Sequence, residues 1–259
     1  MTAPASPPKL SALVVAHNEE AQLADCLERL HFADEIVVVL DRCTDNSRAI
    51  AAGFGAKLVE GGWPLEGERR NTGIAACSGD WIVEVDADER VPPEMAAEIR
   101  AEIATAPFAH YLIPFDNYVG ARLVRYGWGG AFGVMMAPRL FAKGAKHWGG
   151  QRVHPALELQ GERRFLKSRM IHYVDRDISD MIRRLDRYTT ARGADLRARA
   201  AAGEDIGSFR ANVRRLFTRF YKCYVTRKGY REGPYGFLIA LMAGLYPLLS
   251  YLKATLEAK

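Results

Sequence analysis

Two carboxylates separated by one residue, Asp86-Ala87-Asp88, follow the apolar run Trp81-Ile82-Val83-Glu84-Val85. Acids at the exit of a buried strand sit where open α/β sheets collect ligands, because loops there carry polar groups without disturbing the core. Such a pair suits Mg2+ or Mn2+, hard cations that prefer oxygen and keep coordination positions free for a diphosphate. By itself an Asp-x-Asp triplet is more often a solvated turn. What precedes it decides.

Three further strand-like segments come first. Leu10 to Ala16 is an almost wholly apolar run, as expected of a strand covered on both faces. His17-Asn18-Glu19-Glu20 then leads into a helix with Leu23, Leu27 and Leu30 on one face. Ile36 to Leu40 reads as the second strand, and Thr44 or Asp45 as the cap of a helix reaching Ala52. Ala56 to Val59 reads as a third strand, with a helix over Glu68 to Cys77. Strands alternating with helices predict an α/β fold with a mainly parallel sheet.

Four ordered segments carry a resemblance: Val15 to Glu20, Asp41 to Ser47, Arg69-Asn71-Gly73 and Asp86-Ala87-Asp88-Glu89. They resemble the nucleotide-sugar motifs of family 2 glycosyltransferases with a GT-A fold, a Rossmann-like, mostly parallel sheet flanked by helices. Downstream, Arg139-Leu140-Phe141, Val153-His154, Ile171-His172-Tyr173 and Lys228 to Gly236 resemble the WaaE-like subgroup that builds lipopolysaccharide inner core. The resemblance implies that His17, Asn18, Glu19 and Asp41 line a base and ribose pocket. It also implies that Asp45 and Arg69 lie near the sugar and diphosphate, that Asp86 contacts ribose or metal, and that Asp88 is the direct metal ligand. Plainer readings stand beside two of these: Asp45 as a helix cap and Arg69 as a solvated helix-start residue.

The implied chemistry is displacement of a nucleoside diphosphate from an anomeric carbon. The departing charge needs a divalent ion, and the attacking hydroxyl needs a carboxylate or imidazole to take its proton. The subgroup pattern places an acid directly after the histidine and another after Gly-Trp, whereas this chain has His154-Pro155 and Gly127-Trp128-Gly129-Gly130. The base candidates are therefore Asp116 first, then Glu158 and His154. A lipid-phosphate acceptor is already ionised and needs none, so a polyprenyl-phosphate glycosyltransferase is the enzymatic alternative. A nucleotide-sugar-binding membrane scaffold is the non-catalytic one.

The second half changes character. Ile178, Ile182, Leu185 and Thr189 predict an amphipathic helix with Arg183, Arg184, Asp186 and Arg187 on its other side. From Ser208 to Arg231 aromatics alternate with cations, and between Ile206 and Leu252 the only acid is Glu232. No nucleic-acid recognition module accompanies this pattern. Phe237 to Leu252 is apolar, short for a span and interrupted by Pro247, which favours a helix lying in a membrane interface with the cations on anionic headgroups. The expected organisation is a tail over 1–8, a catalytic domain over 9–175 and a helical, membrane-associating extension over 176–259. A net charge of +5 favours anionic partners: a nucleotide sugar, first a UDP-sugar; a lipid-linked or phosphorylated saccharide acceptor; an anionic membrane surface. Four cysteines without disulfide-like spacing, and a start without signal-peptide character, predict a cytoplasmic protein peripheral on the inner face of the cytoplasmic membrane. Oligomeric state has no sequence signature here.

Overall fold

The computed structural model describes residues 6–129, 133–150 and 156–257. They form two compact units, one within Met1–Phe115 and Met136–His172, the other within Asp116–Met135 and Tyr173–Lys259. In chain order the strands are β1 (Leu10–Ala16), β2 (Glu35–Asp41), β3 (Lys57–Gly61), β4 (Trp81–Asp86), β5 (Glu89–Arg90), β6 (Ala109–Val119), β7 (Arg122–Val124), β8 (Met136–Ala142), β9 (Lys146–Trp148), β10 (Leu157–Leu159), β11 (Glu162–Phe165) and β12 (Met170–Asp175). The helices are α1 (Leu23–Glu28), α2 (Ser47–Gly53), α3 (Glu66–Ala76), α4 (Pro93–Ile103), α5 (Ile178–Ala201), α6 (Phe209–Tyr221) and α7 (Pro234–Leu256).

In the first unit β3, β2, β1 and β4 lie side by side and parallel. β1 is buried along its whole length, because helices cover both faces of a parallel sheet. α3 packs directly on it: a Cβ at Gly73 would come within 2.7 Å of the Leu13 side chain and 2.8 Å of Val39. Beyond β4 the sheet turns antiparallel through β8 and then β6. The parallel strands thus end together, which gathers the loops after β1, β2 and β4 along one edge.

The GT-A fold expected from the motifs is present, with local adjustments. α2 starts at Ser47, and its cap position falls to Asn46 rather than Thr44 or Asp45. α3 starts at Glu66, two residues before the expected start at Glu68.

The second unit has its own core, in which Val119, Val124 and Trp128 join Met181, Leu185, Ile239 and Ala240. This is why 116–135 groups with the C-terminal helices instead of with the rest of the segment before 175. The buried face of α5 is also rotated from the expected one. Ile178 and Ile182 are 48% and 54% exposed, while Met181, Arg184, Leu185, Thr189, Gly193 and Leu196 are buried. Arg184 tolerates burial because its guanidinium donates to the buried Asp175 carboxylate at 2.6 Å. α7 is longer than the apolar run alone, at 23 residues, long and apolar enough to cross a membrane by length and composition. It packs on α5 and α6, burying Ile239, Ala240, Met242, Ala243 and Gly244.

Candidate active site

The loops after β1 and β2 are tied together by side chains reaching for backbone. Asn18 and Arg42 both adopt left-handed backbone, at φ 57° and 50°. For a residue such as arginine this costs on the order of 1 kcal/mol, so the surroundings must hold it. The Arg42 guanidinium donates to the Asp41 carboxylate at 2.9 Å and to the Trp63 carbonyl at 3.1 Å. Asn18 Oδ1 accepts from the Thr44 N–H at 2.7 Å, and His17 Nδ1 lies 2.6 Å from the Asp41 carbonyl oxygen. Asp45 accepts from the Glu20 N–H and the Ser47 N–H, while the Ser47 hydroxyl receives the Glu19 N–H. His17, Asn18, Glu19, Asp41 and Asp45 therefore share one edge of the sheet.

The Arg69-Asn71-Gly73 segment divides its labour along α3. Arg69 donates to Asp41 at 3.1 Å. Asn71 clamps the Trp148 backbone, donating to its carbonyl at 2.8 Å and accepting from its N–H at 3.0 Å. The tight Gly73 contact sets the distance between helix and sheet. Asn71 and Gly73 thus position the unit's framework, whereas Arg69 reaches Asp41 at the end of β2.

At the end of β4 the charge density rises sharply. Glu84 is fully buried and meets Arg70 and Lys146 through close hydrogen bonds. Asp86 meets Arg70 at 3.1 Å through one carboxylate oxygen and Arg139 through the other. Arg139 also donates to Glu89 at 2.5 Å. Burial pushes the Glu84 carboxyl up, yet Lys146, Arg70 and Arg139 outweigh it and hold the group at about 2. The same contest leaves Asp86 well below the usual carboxylate range, its burial overcome by Arg139 and Arg70. Burial wins at Lys146, drawing it down to about 8 despite Glu84, and at Glu89, which is pushed up to about 7 despite Arg139.

Asp88 faces a different partner. β12 runs antiparallel to β5 with His172 opposite Glu89, and this register brings His172 Nε2 to 3.5 Å from Asp88 Oδ2. The Phe115 ring packs edge-on against the imidazole, with centroids 5.7 Å apart. Burial opposes protonation of His172, but its hydrogen bond to Asp88 prevails and raises its pKa. One ligand atom from each of Asp88, Glu89 and His172 falls within 4.8 Å of the others. Two carboxylates and an imidazole at this spacing fit a divalent cation. Glu89 also accepts from the Asp86 N–H and from Arg139, and Asp88 is the most exposed of the three. Burial raises the pKa of Glu19, and the charges of Asp88, Asp86 and Asp45 add to the rise, so this edge carries a shared negative field.

The remaining sequence candidates are spread more widely. Asp116 is half-buried within β6, not in a turn after it, and belongs to the second unit. Glu158 is exposed on β10, paired with His147 of β9 in a separate two-stranded sheet. His154 lies outside the described residues. Six residues of the β4 cluster were absent from the sequence candidates: Arg70, Glu84, Glu89, Arg139, Lys146 and His172. Arg139 and His172 each stood in a quoted segment, Arg139-Leu140-Phe141 and Ile171-His172-Tyr173, whose cation or imidazole was the available signal.

Against known proteins, the family described as "Glycosyl transferase family 2" matches residues 11–148, just over half of the chain. The chain belongs to glycosyl transferase family 2. Its match region holds β1 to β4, both interlocked loops and the Asp86-Ala87-Asp88 turn. Among relatives, an uncharacterized glycosyltransferase of Rickettsia felis is 32% identical over 105 residues, 40% of this chain and 37% of that one. The lipopolysaccharide core biosynthesis glycosyltransferase LpsC of Rhizobium meliloti is 24% identical over 265 residues, 94% of this chain and 91% of LpsC. Among solved structures, S. aureus TarS 1-349 covers 93% of this glycosyltransferase and 81% of its own chain at a TM-score of 0.51 and 14% identity, a likeness of fold.

Proposed function

We propose that this glycosyltransferase moves a hexosyl group, with inversion, from a nucleotide sugar to lipopolysaccharide core or a related lipid-linked or phosphorylated saccharide, a UDP-sugar being the first donor to test. The observation that carries the reading is the meeting of Asp88, Glu89 and His172 at the end of β4, on the edge that holds the loops after β1 and β2. The LpsC relationship, spanning 94% of the chain, supports the acceptor class.

Asp88 and His172 would hold the divalent ion, with Glu89 behind them; one imidazole among oxygen ligands favours Mn2+ over Mg2+. Bound there, the ion would supply Lewis-acid stabilisation of the leaving diphosphate. His17, Asn18, Glu19 and Asp41 would line the base and ribose, with Asp45 and Arg69 beside the sugar and diphosphate. Asp86 accepts from Arg70 and Arg139 yet keeps a lone pair on each oxygen, enough to orient a ribose hydroxyl. Asp116 would take the acceptor proton. Sugar transfer from radiolabelled UDP-sugars is the test: Mn2+ should support it and chelation should remove it, and turnover that ignores chelation refutes the metal assignment. Asp116→Asn should cut turnover about a hundredfold with donor affinity kept. An unchanged rate would pass the role to Glu158 or His154, or to an acceptor phosphate that needs no base.

The membrane-facing element of this reading is α6. Phe209, Phe217 and Tyr221 are exposed on it, and Val225 on the π-turn that follows, beside Arg210, Arg214 and Arg215. Such a face fits the inner leaflet of the cytoplasmic membrane, apolar side inserted and cations on headgroups. Because α7 covers α5 and α6, deleting everything after Gly207 would strip the second unit's core, and surface changes are the cleaner probe. Phe217→Glu with Tyr221→Glu should weaken binding to phosphatidylglycerol vesicles, and raised salt should weaken the wild type. Vesicle binding that ignores both would place the contact elsewhere.

A further inference from the structure

The second unit contains a cavity of about 260 Å³ lined by Gly129, Arg219, Lys222, Cys223, Arg227 and Ala243. Three of the six lining residues are cationic and none is acidic. Among the described residues no carboxylate pairs with Arg219, Lys222 or Arg227. Glu232, the only acid between Ile206 and Leu252, is committed to the N–H groups of Arg125 and Tyr126, at 2.7 and 3.0 Å. Like charges gathered without a counter-charge repel, so the cavity's electrostatics lack a negative partner.

The lining is also built with some rigidity. Arg227 donates from Nη1 to the Trp128 carbonyl at 2.7 Å, which fixes one arm of a guanidinium that carries five N–H donors. Its path crosses Gly129, where a Cβ would lie 1.4 Å from Nη1, so only glycine lets the guanidinium lie in this place. The helix widens to a π-turn over Lys222–Thr226, a local irregularity that recurs at functional sites. It carries Lys222 and the buried Cys223 into the lining, one turn after Arg219. The cavity is somewhat smaller than the ~300 Å³ at which sites for drug-sized ligands begin, so it suits a head group more than a whole ligand.

We infer that this cavity binds a phosphoryl group through Arg219, Lys222 and Arg227, making it a second anion site of the protein. Cation-to-phosphoryl hydrogen bonds are charge-assisted, and the forked guanidinium matches two phosphate oxygens at once. The inference rests on the second unit alone and holds whether or not the β4 site binds a nucleotide sugar. A phosphoryl group of this kind is carried by a soluble phosphate monoester and by a lipid headgroup, and the test separates them.

Binding of glycerol 3-phosphate to the full chain would be measured by calorimetry and by thermal shift against chloride at matched ionic strength, and binding to phosphatidylglycerol vesicles by co-sedimentation. Arg219→Gln with Lys222→Gln keeps exposed, uncharged side chains at surface positions and should lower affinity at least about tenfold. Gly129→Ala should also weaken binding by displacing Arg227 while leaving every charge present. Loss of glycerol 3-phosphate binding in both variants supports the site with a soluble source. Loss confined to vesicles supports it with a lipid source. Binding of both probes that is unchanged in the two variants, or no binding of either by the wild type, overturns it. UDP binding with Mn2+ is read in parallel and should be unaffected, so a failure at this cavity is distinguishable from a failure of the donor site.

Discussion

Asp88→Ala is expected to abolish sugar transfer and the Mn2+-dependent part of nucleotide binding while the protein stays folded. Asp88 is half-exposed at a strand end, and its polar neighbour is His172, so the core loses little when its carboxylate is removed. In the proposed site it would be the main oxygen ligand of the ion that stabilises the leaving diphosphate. A rate loss of about a thousandfold or more corresponds to about 4 kcal/mol of transition-state stabilisation, the range seen when one charge-stabilising group is deleted. His172→Ala should fall in the same direction with a smaller loss in nucleotide binding, because Asp88 and Glu89 still offer oxygens. Thermal shift with UDP and Mn2+ reads the binding side: the wild type should be stabilised by the pair, and Asp88→Ala should not. A variant that turns over at the wild-type rate removes Asp88 from the metal site.

The second large effect concerns stability. Arg139→Ala should destabilise the protein by about 3–5 kcal/mol, because it leaves buried carboxylates facing one another without the cation that bridges them. Arg139 touches Asp86 and Glu89 directly and lies 3.8 Å from Glu84. The loss should depend on pH with a definite sign. Glu84 is held at about 2 against an ordinary value of 4.5, so its contribution is complete above about 4.5 and is lost as pH falls towards 2. Asp86 shifts in the same direction. Glu89 shifts the opposite way, to about 7, and acts above this window. The gap between wild type and Arg139→Ala in denaturant midpoint should therefore narrow between pH 4.5 and 2. A gap that stays constant across that range would mean the guanidinium contributes by packing against Phe115, 6.0 Å from its ring centroid, more than by charge.

Much of the first unit could be read locally. β1, β2 and β4 are runs of apolar residues whose burial on both faces demands continuous hydrophobicity, and that signal needs no knowledge of neighbours. The loops after β1 and β2 were legible for a related reason: short polar segments directly after such strands fall at the edge beyond the strands' carboxyl ends. α5 was less legible, since a period of 3.6 says that one face is buried without saying which apolar residues turn inward. Met181 and a paired Arg184 took the places expected for Ile178 and Ile182. The run from Phe237 signalled a helix in a membrane interface, and in the structure one face of α7 is buried on α5 and α6.

The sequence by itself determined the order of the first four strands and the helices between them, the family, and the placing of Asp86 and Asp88 at the exit of a buried strand, because each follows from residue type and near-neighbour spacing. Tertiary structure alone decided that His172 meets Asp88, since this depends on the antiparallel register of β12 on β5. It also decided that Arg70 and Arg139 neutralise Glu84 and Asp86, and that Arg219, Lys222 and Arg227 surround one cavity. Charges attract or repel through space and not along the chain, so groups far apart in sequence acquire partners only when the folded backbone sets their distances.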